Sequence, residues 1–179
     1  MADPNGKAAG IKFLKENKKK AGVIVLPSGL QYKVLNEGPG TACPTVRSPC
    51  ECHYAGRLLD GTEFDSSYRR GKPTTFAPHQ VIKGWTEAMQ LMVEGDKWEM
   101  YIPSELGYGD GGQGGKIKGG DVLIFRMEIV KIKGNKVPAN RCDIDTKKGC
   151  NEKQLKYLEK QGTVTAEKRT SELKRLEGM

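Results

Sequence analysis

Histidine, cysteine and glycine carry much of the chemistry that a protein can perform without help, and this 179-residue sequence contains all three in suggestive places. His53 and His79 are the two histidines. No G-x-S-x-G accompanies them, and neither stands with carboxylates at metal-ligand spacing, so local motifs assemble no nucleophile–base pair and no metal centre. Cys43, Cys50, Cys52, Cys142 and Cys150 fit no C-x-x-C zinc pattern. Cys50 and Cys52 lie two apart and share one face of a strand, as buried thiols do. Cys142 and Cys150 bracket CDIDTKKGC, a polar loop with little apolar material to hold it. A disulfide would staple that loop and would imply an oxidising compartment. The same loop imitates the start of a calcium loop at Asp143 and Asp145, but Lys147 and Lys148 fall on ligand and glycine positions and Gln154 replaces the bidentate glutamate, which argues against calcium.

The segment GYGDGGQGGKIKGG, residues 107 to 120, contains G-x-G-x-x-G at Gly107, Gly109 and Gly112, with Lys116 following. A phosphate-binding loop of that form leaves a strand and enters a helix, whose N-terminal amides meet the anion. Here DVLIFRMEIV follows, which reads as a strand, and Ile117 stands where a magnesium-binding Ser or Thr would follow the lysine. The segment is therefore a long connection between two strands, with Tyr108 and Ile117 as its large apolar members.

The elements around these residues follow from periodicity. GKAAGIKFLKENKKK predicts a short helix from Gly6 to Lys20, closed by Gly22. SGLQYKVLNEG alternates Leu30, Tyr32 and Val34 inward with Gln31, Lys33 and Leu35 outward, a strand. CECHYAGRLLDGTEFDSS contains another, turned at Asp60-Gly61. In HQVIKGWTEAMQLM, Ile82, Trp85, Met89 and Met92 form one apolar stripe of a short helix, with Gly95 beyond it. KWEMYIP places Trp98, Met100 and Ile102 on one strand face and Glu99 and Tyr101 on the other, and DVLIFRMEIVKIK is a further strand. The fold class expected is α+β, an antiparallel sheet on one central helix. From Asn135 the chain is polar; Asn151 with Gln154 predicts a helix carrying Leu155 and Leu158, and Thr165 opens a last one with Leu173 and Leu176. The division expected is an N-terminal helical arm over 1–21, a domain over 22–134 and a basic helical extension over 135–179.

No apolar run approaches the length of a membrane span. The net charge of +8 belongs to the tails: residues 1–20 carry six basic against two acidic residues, 131–179 thirteen against seven, and the stretch between them eleven against thirteen. Basic residues are not interleaved with aromatics, so no nucleic-acid partner is expected. MADPNGKAAG lacks the apolar centre of a signal peptide, which makes the chain either cytosolic or a processed form.

The run HYAGRLLDGTEFDSSYRRGKPTTF, followed by VIKGW, ELGYG and LIF, closely resembles the FKBP-type peptidyl-prolyl isomerases, the receptors of macrolide immunosuppressants. The resemblance covers about Gly22 to Lys133. Upstream, GIKFLKENKKKAGVIVLPSGLQYKV is similar to the last turns of the helical arm and the next strand of the macrophage-infectivity-potentiator branch. That arm mediates dimers in the branch; only its last turns match here, and a monomer is expected.

The resemblance implies a curved antiparallel sheet wrapped around the helix that holds Trp85. It also implies a pocket: Tyr54, Phe64, Asp65 and Phe76 on one wall, Val81 and Ile82 at the rim with the Ile82 amide donating to a bound carbonyl, and Trp85 as the floor. Tyr108, Phe125 and the flap residue Ile117 complete it, with Arg70 orienting Asp65. By the same resemblance Tyr54, Phe64, Asp65, Ile82, Tyr108 and Phe125 are expected to carry catalysis. Phe76, Val81, Trp85, Ile117 and Arg70 are expected to hold substrate, with no metal and no cofactor. The partners implied are proline-containing peptides, unfolded proteins and macrolides such as FK506 and rapamycin; the alternative is a binding module or chaperone with weak turnover. The sequence departs from the family at Thr74, where an aromatic often follows K-P, at Gln113 in place of a flap histidine, and at KIKGG in place of an apolar, proline-bearing segment. With the Cys142/Cys150 pair, a secretory location, the endoplasmic reticulum, is favoured over the cytoplasm.

Overall fold

The computed structural model of the chain describes residues 4–139. Cys142, Cys150, the CDIDTKKGC loop and the two helices expected after Asn151 lie outside the described residues. Within them the order is α1 (Lys7–Asn17), β1 (Val23–Val25), β2 (Gln31–Asn36), β3 (Ala42–Pro44), β4 (Cys50–Arg57), β5 (Glu63–Ser66) and β6 (Thr74–Phe76). A 3-10 turn at Pro78–Gln80, α2 (Lys83–Met89), β7 (Lys97–Ile102), a second 3-10 turn at Ser104–Leu106, β8 (Leu123–Ile132) and β9 (Lys136–Pro138) follow. Chain contacts separate Met1–Val137 from Pro138–Met179, so α1 belongs to the same compact unit as the sheet.

The main sheet runs β1-β2-β7-β8-β4-β5, with β6 also on β4 and antiparallel pairing throughout. The register shifts at Val34/Asn36, Glu51/Cys52 and Gly56/Arg57, interruptions of the kind that bend and twist a strand. The concave face receives α2: Trp85, Ala88 and Met89 are buried with Tyr54, Met100, Ile102, Met127 and Ile129 in one cluster. Met92, expected on the helix, lies just past its end and is fully buried there. This is the α+β architecture that the sequence predicts, with an antiparallel sheet over one short central helix.

Two readings of individual residues change. Alternation puts Gln31 on the outer face of β2, yet it is 4% exposed. Its amide donates to the Leu14 carbonyl at 2.9 Å, and its Oε1 accepts from Asn17 Nδ2 at 3.0 Å. Gln31 thus adds a second donor to the Leu14 carbonyl, which also accepts from the Lys18 amide at 3.2 Å, and the helix stops at Asn17 instead of running through the lysines to Gly22. Tyr101 is likewise buried, because the Phe13 ring of α1 packs against it with centroids 5.9 Å apart. The far face of β7, expected to be wet, is covered by α1. β1, β3, β6 and β9 are three residues each, too short to show a period.

β5 and β6 share one flank of β4: β5 pairs Ala55–Arg57 and β6 pairs Cys50–Cys52. Ser67 closes the gap between them. Its amide donates to the Tyr54 carbonyl at 2.9 Å, and its hydroxyl accepts from the Tyr54 amide at 2.7 Å. The interrupted ladder leaves no orphaned backbone group at Tyr54 and lets residues 67–73 leave the sheet as a loop that carries Arg70.

Candidate functional site

Between α2 and the concave sheet lies a cavity of about 670 Å³. Trp85, in the first turn of α2, forms its floor. Phe125 of β8 meets it edge-on, centroids 4.9 Å apart at 80°; Tyr54 of β4 does so at 5.0 Å and 77°, and Phe76 of β6 at 5.5 Å and 81°. Phe64 of β5 stands edge-on to Phe125 at 5.3 Å and 83°. Edge-to-face contacts of this kind fix ring orientation as well as bury area. They depend on Gly56, which is opposite both Phe125 and Asp65 in the sheet. A Cβ at Gly56 would stand 2.5 Å from Phe125 and 2.6 Å from Phe64, so only glycine lets the two rings close over β4.

One edge of this wall is charged. Asp65 Oδ2 accepts from the Tyr54 hydroxyl at 2.6 Å, and Arg70 Nη1 binds Oδ1 at 2.5 Å while Nη2 reaches the Tyr54 oxygen at 2.7 Å. Desolvation pushes the Asp65 carboxyl up, but the Tyr54 and Arg70 hydrogen bonds and the guanidinium charge outweigh it and hold the group below the usual carboxylate range. Burial, then the hydrogen bond to Asp65, pushes the Tyr54 phenol up, so both stay in their neutral-pH forms. The Tyr54 oxygen is occupied by these two partners.

The Tyr108 hydroxyl and the Ile82 amide, both at the cavity, have no hydrogen-bond partner among the described residues, and neither has the buried Trp85 Nε1 at its floor. Burial, then the charge on Asp65, pushes the Tyr108 phenol up, which keeps it a donor. Val81 and Ile82 form the rim where the chain enters α2, and Ile82 is the residue before its first turn.

The glycine-rich segment folds as a flap. Gln113 and Ile117 exchange backbone hydrogen bonds at 2.8 and 3.1 Å, and Gly120 donates to Gly109 at 2.9 Å. At Gly112, φ is +67° and a Cβ would meet the Ile117 carbonyl at 2.3 Å; the glycine is required by this close approach. Ile117 is thereby turned inward and left 6% exposed.

Of the residues that the sequence singles out, Tyr54, Phe64, Asp65, Phe76, Val81, Ile82, Trp85, Tyr108, Ile117 and Phe125 all line this cavity. Arg70 stands behind Asp65 and is not on the lining. Gln80, Gly114 and Lys116 line it too, which the sequence does not indicate, and so does Gln113, which the sequence marks only as a departure from the family. Gln80 carries a local signal, because it directly precedes VIKGW and its Oε1 accepts from the Ala77 amide at 3.0 Å, closing the Pro78–Gln80 turn. Lys116 carries none, since the flap's shape is set by glycines around it. Among the described residues no group of three His, Cys, Asp or Glu gathers as metal ligands.

The model of the family described as FKBP-type peptidyl-prolyl cis-trans isomerase matches residues 40–130, and that of the domain amino terminal to it matches residues 2–34. The chain is 49% identical to the macrophage infectivity potentiator of Trypanosoma cruzi over 71% of its own length and 65% of that protein. It is 48% identical to the outer membrane protein MIP of Legionella longbeachae over 71% of its length and 54% of that protein. The chain thus spans between half and two thirds of these relatives. The crystal structure of FkpA from Escherichia coli superposes with a TM-score of 0.69 at 36% identity, covering 72% of this chain and 60% of that one.

Proposed function

The chain belongs to the FKBP-type peptidyl-prolyl cis-trans isomerases, and from that premise we propose that it accelerates rotation about X-Pro bonds in peptides and folding proteins. Residues 22–134 are the catalytic body in this reading, with the arm 1–21 docked on it and 135–179 as an extension. The observation that supports it most is the cavity itself, lined by six aromatic residues, with the Ile82 amide and Tyr108 hydroxyl free to donate. The barrier to X-Pro rotation, roughly 18–20 kcal/mol, arises from amide resonance, which places charge on oxygen and nitrogen that water stabilises. An aromatic enclosure removes that water and favours the twisted, less charge-separated transition state. The Ile82 amide and Tyr108 hydroxyl hold the flanking carbonyls in register. Asp65 stays ionised and stiffens the wall through Tyr54. Bringing exchange from tens of seconds to about a millisecond requires about 6 kcal/mol, within reach of desolvation plus positioning and without a covalent intermediate.

A coupled or NMR exchange assay on a short X-Pro peptide tests this. Turnover inhibited by rapamycin and FK506 is expected, at a rate per chain that does not change on dilution. A chain acting alone accords with α1 spending Phe13 on its own sheet. The sign of the pH dependence follows from Asp65: a depressed pKa means that its ion pair persists above the usual carboxylate value and is lost as pH falls through the lower folded value. Activity should therefore hold down to about pH 4. Aggregation suppression with negligible peptide turnover would favour the chaperone reading instead.

We place the protein in an exported, oxidising compartment, of which the endoplasmic reticulum is one, with Cys142 and Cys150 bonded. The name of the Legionella relative, an outer membrane protein, supports export. Burial raises the Cys50 thiol to about 11 and pushes Cys52 higher still, so both are inert in the native protein. Titration must therefore be done in denaturant; reduction should release two further thiols, and no difference between reduced and unreduced samples would remove the bond.

A further inference from the structure

The cavity lining contains two charged side chains, Asp65 and Lys116. Asp65 is neutralised by Arg70. Lys116 has no ion-pair partner among the described residues. The mouth of the cavity therefore presents one uncompensated cation.

Its position is fixed by backbone. The paired hydrogen bonds between Gln113 and Ile117 close the flap tip, Ile117 points inward, and Lys116 between Gly115 and Ile117 remains exposed at the rim. A lysine so placed lays its stem along the apolar lip and keeps its ammonium in water. Gln80 and Gln113, the other polar lining side chains on this side, are neutral. Lys118 is not part of the lining; its amide is tied to Asp121 at 2.8 Å.

We propose that Lys116 is a specificity-determining residue, selecting X-Pro segments that carry an acidic side chain next to the isomerising unit. The proposal rests on the isomerase reading above. An ion pair formed at an exposed rim changes an equilibrium by a small factor, about twofold to fivefold, and is screened by salt.

The test uses matched peptides with Glu, Gln or Lys placed immediately before or after the X-Pro unit, assayed at low ionic strength. On at least one side kcat/KM should fall in the order Glu, Gln, Lys, with Glu about threefold above Gln. The Glu/Gln ratio should approach one in 1 M NaCl and in Lys116→Gln, and should invert in Lys116→Glu. Equal kcat/KM for the three peptides in the unaltered protein overturns the proposal, as does a Glu preference that survives both salt and Lys116→Gln. Absence of turnover on every peptide overturns the isomerase reading instead. Calorimetric binding of the same peptides then reads the charge preference independently, with the same order supporting it and equal affinities ending it.

Discussion

Replacing Phe64 and Tyr108 together by serine is expected to lower kcat/KM for an X-Pro peptide by about a thousandfold in a protein that still folds. Phe64 closes the wall against Phe125, and Tyr108 supplies a hydroxyl donor that has no partner among the described residues. Losing an aromatic wall admits water to the imide, and losing the donor frees the bound chain; about 4 kcal/mol of transition-state stabilisation, divided between them, corresponds to three decades of rate. Both side chains are only half-buried, so the central cluster under α2 remains intact and circular dichroism should show a native transition. Tyr108→Phe keeps the wall and removes only the donor, for which about tenfold is expected. A double variant that is folded and within a few-fold of the original activity would mean that solvent exclusion is not how the barrier is lowered.

The second large effect comes from a single methyl group. Gly56→Ala puts a Cβ 2.5 Å from Phe125 and 2.6 Å from Phe64, well inside contact distance. The backbone there is pinned on both flanks by β5 and β8, so the rings must part. Overpacking of this kind costs about 1–3 kcal/mol, and the separated rings open the wall to water. Urea unfolding should show the loss of stability, and the peptide assay a fall of at least tenfold. Adding Phe64→Leu should recover part of the stability while leaving activity low, because the smaller side chain relieves one of the two clashes and gives Phe125 room to shift without restoring the ring. Unchanged stability and turnover in Gly56→Ala would show that the edge-to-face pair is not needed.

The two variants also show what the sequence discloses. Strand and helix periods place Trp85, Met89, Tyr54 and Phe125 in a core, and nothing in those periods distinguishes a core from a pocket. Phe64, Asp65, Ile82 and Tyr108 become a site only through the joint motif, since each alone reads as packing, turn or rim. Alternation points Gln31 and Tyr101 outward because it counts only one layer; the covering helix α1, with its Phe13 and its carbonyl at Leu14, is a tertiary fact. Lys116 is not legible as a lining residue because glycines bring it to the mouth, and the period of a flap is not written in side chains.

The ladder between β4 and β8 has a consequence for biosynthesis. It joins Cys50–Arg57 to Leu123–Ile132, the two strands that bring Tyr54, Gly56 and Phe125 together. Pairings so distant along the chain close late and slowly. On the ribosome, the strands made first wait without the partner that shields their greasy side, and neither floor nor wall exists until the polypeptide has been made past Leu123. If the chain acts on other proteins' prolines as proposed, it is in this respect a late maturer itself: a nascent fragment ending before that strand would have hydrophobic residues to hide and no completed cavity.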